Sequence, residues 1–323
     1  MSDVKSCLDN DPGNIILTKR DAGQIVRSFG GEAGRLLRAW KPYLLLAPSL
    51  AGLFAFTYLP IGAVLADSLM QKVHGLDQTT FVGLGNYVRL FADPLFRGAV
   101  LNNVLFTLGT VLPSLALALF FALMLEKAGR VNSLLRGLFF FPSLMPFVGA
   151  AALCSFIFMP GIGLLDHYLA QIGLRGLNWI GDPDVALWSL TGLSVWKNAG
   201  YYMLFYLAGL QAIPTEVKEA SMMEGASSWQ SLRYVILPML APTTAFVLVI
   251  SLIYSFTQVD HVLVLTKGGP SNSTNLLLYY IYLAAVENFD YGRAAAASVV
   301  TVAALFAVSF TSMRVLEKGM RRG

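Results

Sequence analysis

The sequence predicts an all-α membrane protein with six transmembrane helices and both termini on the cytoplasmic side. Three observations carry that reading. The 323 residues are 56% hydrophobic and only 13% charged, about half the charge of an ordinary soluble domain, which is too little to cover a water-exposed surface. Six apolar stretches approach the roughly 20 residues a helix needs to cross a bilayer. Lys and Arg fall unevenly between the connections.

Taken in order, residues 1–40 are polar and read as a largely flexible cytoplasmic tail, with a short surface helix over 31–40. They lack the apolar core of a cleaved signal peptide, so the first span acts as its own insertion signal. The apolar stretches are 43–66, 100–125 with Pro113 as a kink, 138–159 with Pro142 and Pro146 near its start, 185–210, 242–260 and 294–313. Helices are expected because lipid offers no partner to unpaired backbone groups. The connections on the N-terminal side, with the tails, hold 16 Lys and Arg, and the opposite side holds 6; the richer side is cytoplasmic. The span domain covers 41–315, with a short basic tail at 316–323. The outer connections, 67–99, 160–184 and 261–293, carry Gly, Pro and aromatic residues and read as compact loops or short interfacial helices.

Several functions are excluded. The net charge is +4, with no basic stripe for nucleic acid. Cys7 and Cys154 suit neither a structural disulfide nor a metal site and read as inert thiols. His74, His167 and His261 lie far apart and read as ordinary loop residues. No Gly-x-x-x-x-Gly-Lys-Ser/Thr phosphate loop is present, so this chain binds no ATP of its own. No grouping of nucleophile, base and orienting residue stands out, so the chain is not expected to be an enzyme.

The longest inner connection, 211–238, has structure of its own. Pro214 suits the first position of a helix, with Glu216 in its first turn. Ala220 and Met223 keep the helical register, and Gly225 ends it through a positive φ. Ser227 with Gln230 forms a capping box for a second helix, whose apolar face is Trp229, Leu232, Val235 and Ile236. Pro238 marks the turn into the fifth span. Met222, Met223 and Trp229 then need a partner or the membrane interface to cover them.

Within that loop stand Glu219-Ala220-Ser221, three residues, Gly225, nine residues, Val235, one residue, then Leu237-Pro238. This spacing resembles the EAA loop of binding-protein-dependent ABC importer permeases; the family prefers Ala at 221 and Ile at 235. Phe81-Val82-Gly83-Leu84-Gly85-Asn86-Tyr87 with Leu90-Phe91-Ala92-Asp93-Pro94 resembles the first outer loop of the carbohydrate-uptake permeases. Val195-Trp196-Lys197, Ala208 to Pro214 and Thr266-Lys267-Gly268-Gly269-Pro270 resemble the same family. The likeness covers about residues 41–315 and is closer to the maltose-type and glycerol-3-phosphate-type first permeases.

The resemblance implies a type I ABC importer permease fold in the bacterial inner membrane. It implies a heterodimer with a second permease, two ATPase subunits that bind ATP and Mg, and a periplasmic binding protein. The EAA helix would dock on the ATPase through Glu219, Ala220, Ser221, Met223, Glu224, Gly225 and Ala226. The implied substrate is a sugar, oligosaccharide or polyol, with glycerol-3-phosphate or a phosphodiester as the alternative. An ion-coupled secondary transporter is a different class, and Asp260 is the one acid at a span end to support it.

Polar residues inside spans are costly and often mark a pathway. Trp196, Asn198, Tyr201 and Tyr202 on the fourth span, and Tyr254 and Gln258 with Ser251 and Ser255 on the fifth, suit a sugar: rings stack on its apolar face and amides bond its hydroxyls. The same groups also join helices, and Lys197 also suits an acid or a carbonyl. Asn102, Asn103 and Thr107 read as helix-packing contacts. Asp260 and His261 read as interfacial residues or a gate.

Overall fold

The computed structural model describes residues 43, 45–72 and 79–320, with side chains except those of 72 and 315–320. The readings of the N-terminal tail, the helix over 31–40, Cys7 and His74 lie outside the described residues. The chain divides into two compact units, Met1–Ala63 and Val64–Gly323. In the first, Tyr43 and residues 45–63 are helical, the latter being the larger part of α1 (Leu45–Ser68), an apolar helix of 24 residues with a π turn at Phe54–Tyr58.

The second unit is helical apart from one hairpin. After α1, β1 (Met70–Lys72) pairs antiparallel to β2 (Thr79–Phe81), in the register Met70 to Phe81. Then come α2 (Gly85–Ala92) and α3 (Pro94–Met124). Asn86 donates to the carbonyls of Ser68 and Met70 at 2.8 and 2.9 Å, and Tyr87 Oη donates to Ser68 Oγ at 2.9 Å. The Asn-Tyr pair of the outer-loop motif thus fastens α2 to the hairpin. Asp93 caps α3 by accepting from the Leu95 N–H at 2.9 Å, with Pro94 opening the helix where a missing N–H costs nothing. α3 runs 31 residues through Pro113 without interruption.

The third apolar stretch is not one straight span. It forms α4 (Arg130–Leu144) and α5 (Phe147–Ile157), bent by 98° at a break between them. The cause is local: Met145, before Pro146, is driven out of the helical region to ψ 138, and Pro146 has no N–H to continue the ladder. Next comes α6 (Leu164–Gln171), which carries His167. Asp166 on its first turn accepts from the Gly161 N–H at 2.6 Å and the Trp179 indole at 2.7 Å. These two donors hold its carboxyl below the ordinary carboxylate range.

Helix α7 (Ala186–Ala212) is followed by α8 (Thr215–Met223) and α9 (Ser228–Ser231), which continues through a π turn at Leu232–Ile236 to Met239. α10 (Ala241–Thr257) and α11 (Asp260–Leu265) make up one apolar stretch, Ala241–Leu265, interrupted at Gln258. α12 (Leu277–Tyr282) precedes α13 (Tyr291–Met320), whose helix extends into the predicted basic tail.

Among the described residues, four helices are long and apolar enough to cross a membrane, and the bent α4–α5 pair makes up to five. α7 is not one of them. Its 27 residues would span about 40 Å, but Trp, Lys, Asn, Tyr, Ser and Thr lower its hydropathy. It is instead the helix most enclosed by its neighbours, packed chiefly on α3, α4 and α10. Ala118 and Ala122 of α3 meet Tyr202, Met203 and Tyr206 of α7 and Val247 of α10 in the main core cluster. Gly200 makes one contact possible: a Cβ there would run into the Phe139 carbonyl of α4, the close approach that small residues give helices in lipid.

Candidate functional site

Two regions hold most of the sequence-predicted site residues. The first is a narrow cavity between α3, α7 and α10, of about 10 Å³, room for one water. Asn198, Tyr202 and Gln258 line it, together with Ser251 and Ser255. Asn198 donates to Gln258 Oε1 at 3.4 Å, a long bond that closes the gap between α7 and the end of α10.

Other predicted pathway residues lie elsewhere. Trp196 is half exposed and faces the grooves beside Trp188, away from this cavity. Tyr201 turns to Tyr254, ring centroids 6.1 Å apart, and to Phe205 at 5.1 Å. Asn198 and Tyr202 thus share the cavity wall, while Tyr201 meets α10 at Tyr254. Steps of four residues stay on one face better than steps of three when the helix is straight.

Sequence reasoning missed Thr110 and Ser114 of α3 and Ser194 of α7, which also line the cavity. Their signal is four-residue spacing: Ser194, Asn198 and Tyr202 on one helix, Phe106, Thr110 and Ser114 on the other. Thr110 returns its hydroxyl to the Phe106 carbonyl at 2.7 Å. The Ser194 hydroxyl is buried with no hydrogen-bond partner. Thr107 bonds Ser255 at 3.1 Å, so it joins α3 to α10 as read. Asn102 instead reaches the loop between α11 and α12, donating to the Asn272 and Asn275 carbonyls at 2.9 and 3.1 Å.

Lys197 is buried and donates to the Ser143 carbonyl at 3.2 Å, in the last turn of α4, with the Phe147 ring 5.3 Å away. It caps the helix at the break, the carbonyl option foreseen for it. His261 is neither a loop nor an interfacial residue. It is 0% exposed, stacked on Phe106 at 5.2 Å and beside Phe147 at 4.9 Å, and neither ring nitrogen has a hydrogen-bond partner. Cys154 is a buried free thiol. Among the described residues no three His, Cys, Asp or Glu side chains gather as a metal site.

The second region is the loop between α7 and α10, residues 211–238. Pro214 precedes the helix rather than opening it: at ψ 137 its carbonyl accepts from Val217, and Thr215 is the first helical residue. At the far end Gly225 adopts φ +81, its N–H bonding the Met222 carbonyl at 3.0 Å while the Ala226 N–H bonds Ser221 at 3.1 Å. That double closure is a Schellman ending, which needs a left-handed residue after the cap. The capping box forms: Ser227 N–H donates to Gln230 Oε1 at 2.8 Å and Gln230 N–H to Ser227 Oγ at 3.3 Å. Pro238 does not mark the exit; it lies within the helical continuation, and the chain turns at Leu240.

The loop thus presents Glu219, Ala220, Met223, Glu224 and Gly225 to the outside, with Ala226 partly covered. Met223 is 88% and Trp229 69% exposed. Ser221 is placed differently: it is buried, its hydroxyl 2.9 Å from that of Ser231, and it joins α8 to α9. Lys218 forms an ion pair with Glu126 after α3 and donates to the Leu210 carbonyl at 3.1 Å. No local pattern pointed to that pair, whose members lie 92 residues apart.

Residues 91–322 match the family described as binding-protein-dependent transport system inner membrane component. A probable ABC transporter permease of Pyrococcus horikoshii is 34% identical over 273 residues, 83% of this chain and 93% of that protein. The sn-glycerol-3-phosphate transport system permease protein UgpA of Escherichia coli is 33% identical over 283 residues, 87% of this chain and 96% of that protein. Among solved structures, a chain of a bacterial alginate ABC transporter, crystallised in complex with an alginate pentasaccharide-bound periplasmic protein, superposes with a TM-score of 0.76. It is 21% identical, covering 86% of this chain and 94% of that one, and shows the shared fold. The bent third span, the Gly225 loop and the outer-loop motif therefore occur in a chain that belongs to the binding-protein-dependent transport system inner membrane components and is an ABC importer permease.

Proposed function

We propose that this permease moves a sugar, oligosaccharide or polyol across the inner membrane of a bacterium, driven by ATP hydrolysis on a partner chain. The observation that carries the coupling half is the inner loop: a short helix, closed at Gly225, exposes Met222, Met223 and Trp229 beside Glu219 and Glu224. Apolar side chains of that size, rimmed by acids on an inner loop, fit a groove on another protein. In this reading α8 is the coupling helix, docked on an ATPase that binds ATP and Mg, with one such subunit for each of two permeases. Glu219 offers a charge-assisted contact to a basic residue there. A periplasmic binding protein meets the outer loops.

Six spans with both termini inside complete the reading. α1, α3, α10–α11 and α13 supply four, the α4–α5 pair the broken one, and α7 the buried one. The Lys and Arg asymmetry supports the sidedness. Asn198, Tyr202 and Gln258 line the pathway, with Trp196, Tyr201 and Tyr254 contributing in another conformation. At about 10 Å³ the cavity is too small for a sugar ring, so α3, α7 and α10 must separate for passage.

A second substrate reading, glycerol-3-phosphate or a phosphodiester, is supported by the 33% identical relative, an sn-glycerol-3-phosphate transport system permease. The ion-coupled alternative is dropped with membership of an ABC permease family. The test is co-purification of the tagged chain with its ATPase, wild type beside Glu219→Ala and Gly225→Asp, with ATP-dependent uptake of labelled maltose, glycerol and glycerol-3-phosphate into vesicles. Retention and uptake in wild type with loss in the variants is expected. Transport by wild type without an ATPase would reject the reading.

A further inference from the structure

We infer that Lys218 is a positioning residue that locks the coupling helix to the inner end of α3, so that the two move as one body. The inference rests on the reading of α8 as the coupling helix. By chain connectivity α8 is linked to α7 and, through Gly225, to α9. Neither link reaches α3, the helix that supplies Phe106, Thr110 and Ser114 to the cavity wall. Lys218 makes the missing connection.

Its ammonium pairs with the Glu126 carboxylate, two residues beyond α3, and also donates to Leu210 at the end of α7. Both side chains of the ion pair are largely covered, with 19% and 28% of their surface exposed, so water and salt weaken the pair less than an open one. The Glu126 segment is itself held. The Arg136 guanidinium of α4 donates to the carbonyls of Leu125, Glu126 and Lys127. A chain of charge-assisted contacts therefore runs from α8 through Lys218 to the end of α3 and on to α4. One turn further along the same face of α8, Ser221 and Ser231 fasten it to α9 through neutral hydroxyls. Displacement of α8 would reach α3 through the ion pair and α10 through α9.

The test uses the whole transporter with its second permease and ATPase, in a background with Cys7→Ser and Cys154→Ala. Spin labels go on Met124→Cys, an exposed position near the end of α3, and Glu216→Cys, exposed on the first turn of α8. The distance between them is read by pulsed dipolar spectroscopy, nucleotide-free and trapped with ATP and vanadate. With Lys218 in place the distance should be the same in both states. Lys218→Met and Glu126→Gln should each make it shift on trapping by more than the width of the unsubstituted distribution, and Lys218→Arg should not. The combined Lys218→Met, Glu126→Gln variant should shift no further than either single change. A bridge that only stabilises the fold would broaden the distance equally in both states. A shift on trapping with Lys218 present, or no state-dependent shift in both single variants, would overturn the lock. Met223→Asp separates the two readings. If it releases the ATPase while the lock fails, the coupling helix stands and only the lock is lost; if it retains the ATPase, α8 is not the docking element and the lock falls with it.

Discussion

Helices α7 and α8 follow one another in the chain and invert the usual arrangement in opposite senses. α7 buries Ser194, Lys197 and Asn198, while the last turn of α8 exposes Met222 and Met223. Neither helix reveals its surroundings by composition. α7 tolerates its polar groups because each finds a backbone or side-chain partner, as Lys197 does on Ser143 and Asn198 on Gln258, or faces the cavity, as Ser194 does. Burying them otherwise would cost a few kcal/mol each. α8 leaves its large apolar groups exposed in the isolated chain; in the proposed reading an ATPase subunit covers them. In the proposed reading, a helix poorer in hydropathy than its neighbours lines the pathway, and a loop richer in large apolar residues than its length needs docks a partner.

The comparison breaks most sharply at Gly200. Gly200→Leu drives a side chain into the Phe139 backbone and should cost more than about 4 kcal/mol; detergent-solubilised protein should lose its monodisperse elution peak. If it elutes as wild type does, the tight α4–α7 contact is not needed to enclose the polar helix. Next is Met223→Asp, which leaves the fold and the elution peak unchanged but should abolish retention of the ATPase. Retention at the wild-type level would mean that the exposed apolar surface of α8 has another use. Asn198→Leu removes the bond to Gln258 and a polar group from the cavity; uptake per ATP hydrolysed should fall about tenfold, ~1.4 kcal/mol. Unchanged uptake would return Asn198 to the class of helix-joining residues. The smallest effect is expected of Ser227→Ala, which removes one half of the capping box. It should lower the stability of the α8–α9 loop by about 1 kcal/mol, measured as faster amide exchange in 226–232 with the exchange in α7 unaltered.

The inner loop was the most legible part of the molecule. Its signals are local: a Gly that alone adopts φ +81 comfortably, and a Ser and Gln three residues apart. Pro214 and Pro238 were misplaced because a proline fixes its own φ and says less about which neighbour starts or ends the helix. The bend at Met145-Pro146 was written in the sequence as two prolines near the start of the third stretch, but whether they bend a span or break it depends on what caps the freed carbonyls, here Lys197 from 54 residues away. Trp196 and Asn198 were grouped because they are close in sequence, although two residues apart on a helix they face apart.

The sequence by itself determined the membrane class, the apolar stretches, the helix-Gly-helix loop and the family, since these rest on composition, run length and fixed spacing. Only the tertiary structure decided that Asn198, Tyr202 and Gln258 share a cavity while Trp196 does not, that His261 is sealed between two Phe rings, that Ser221 faces inward, and that Lys218 reaches Glu126. The physical reason is one of range: propensity and capping act within a few residues, whereas a cavity wall or an ion pair is made by side chains that only the packing of distant helices brings together.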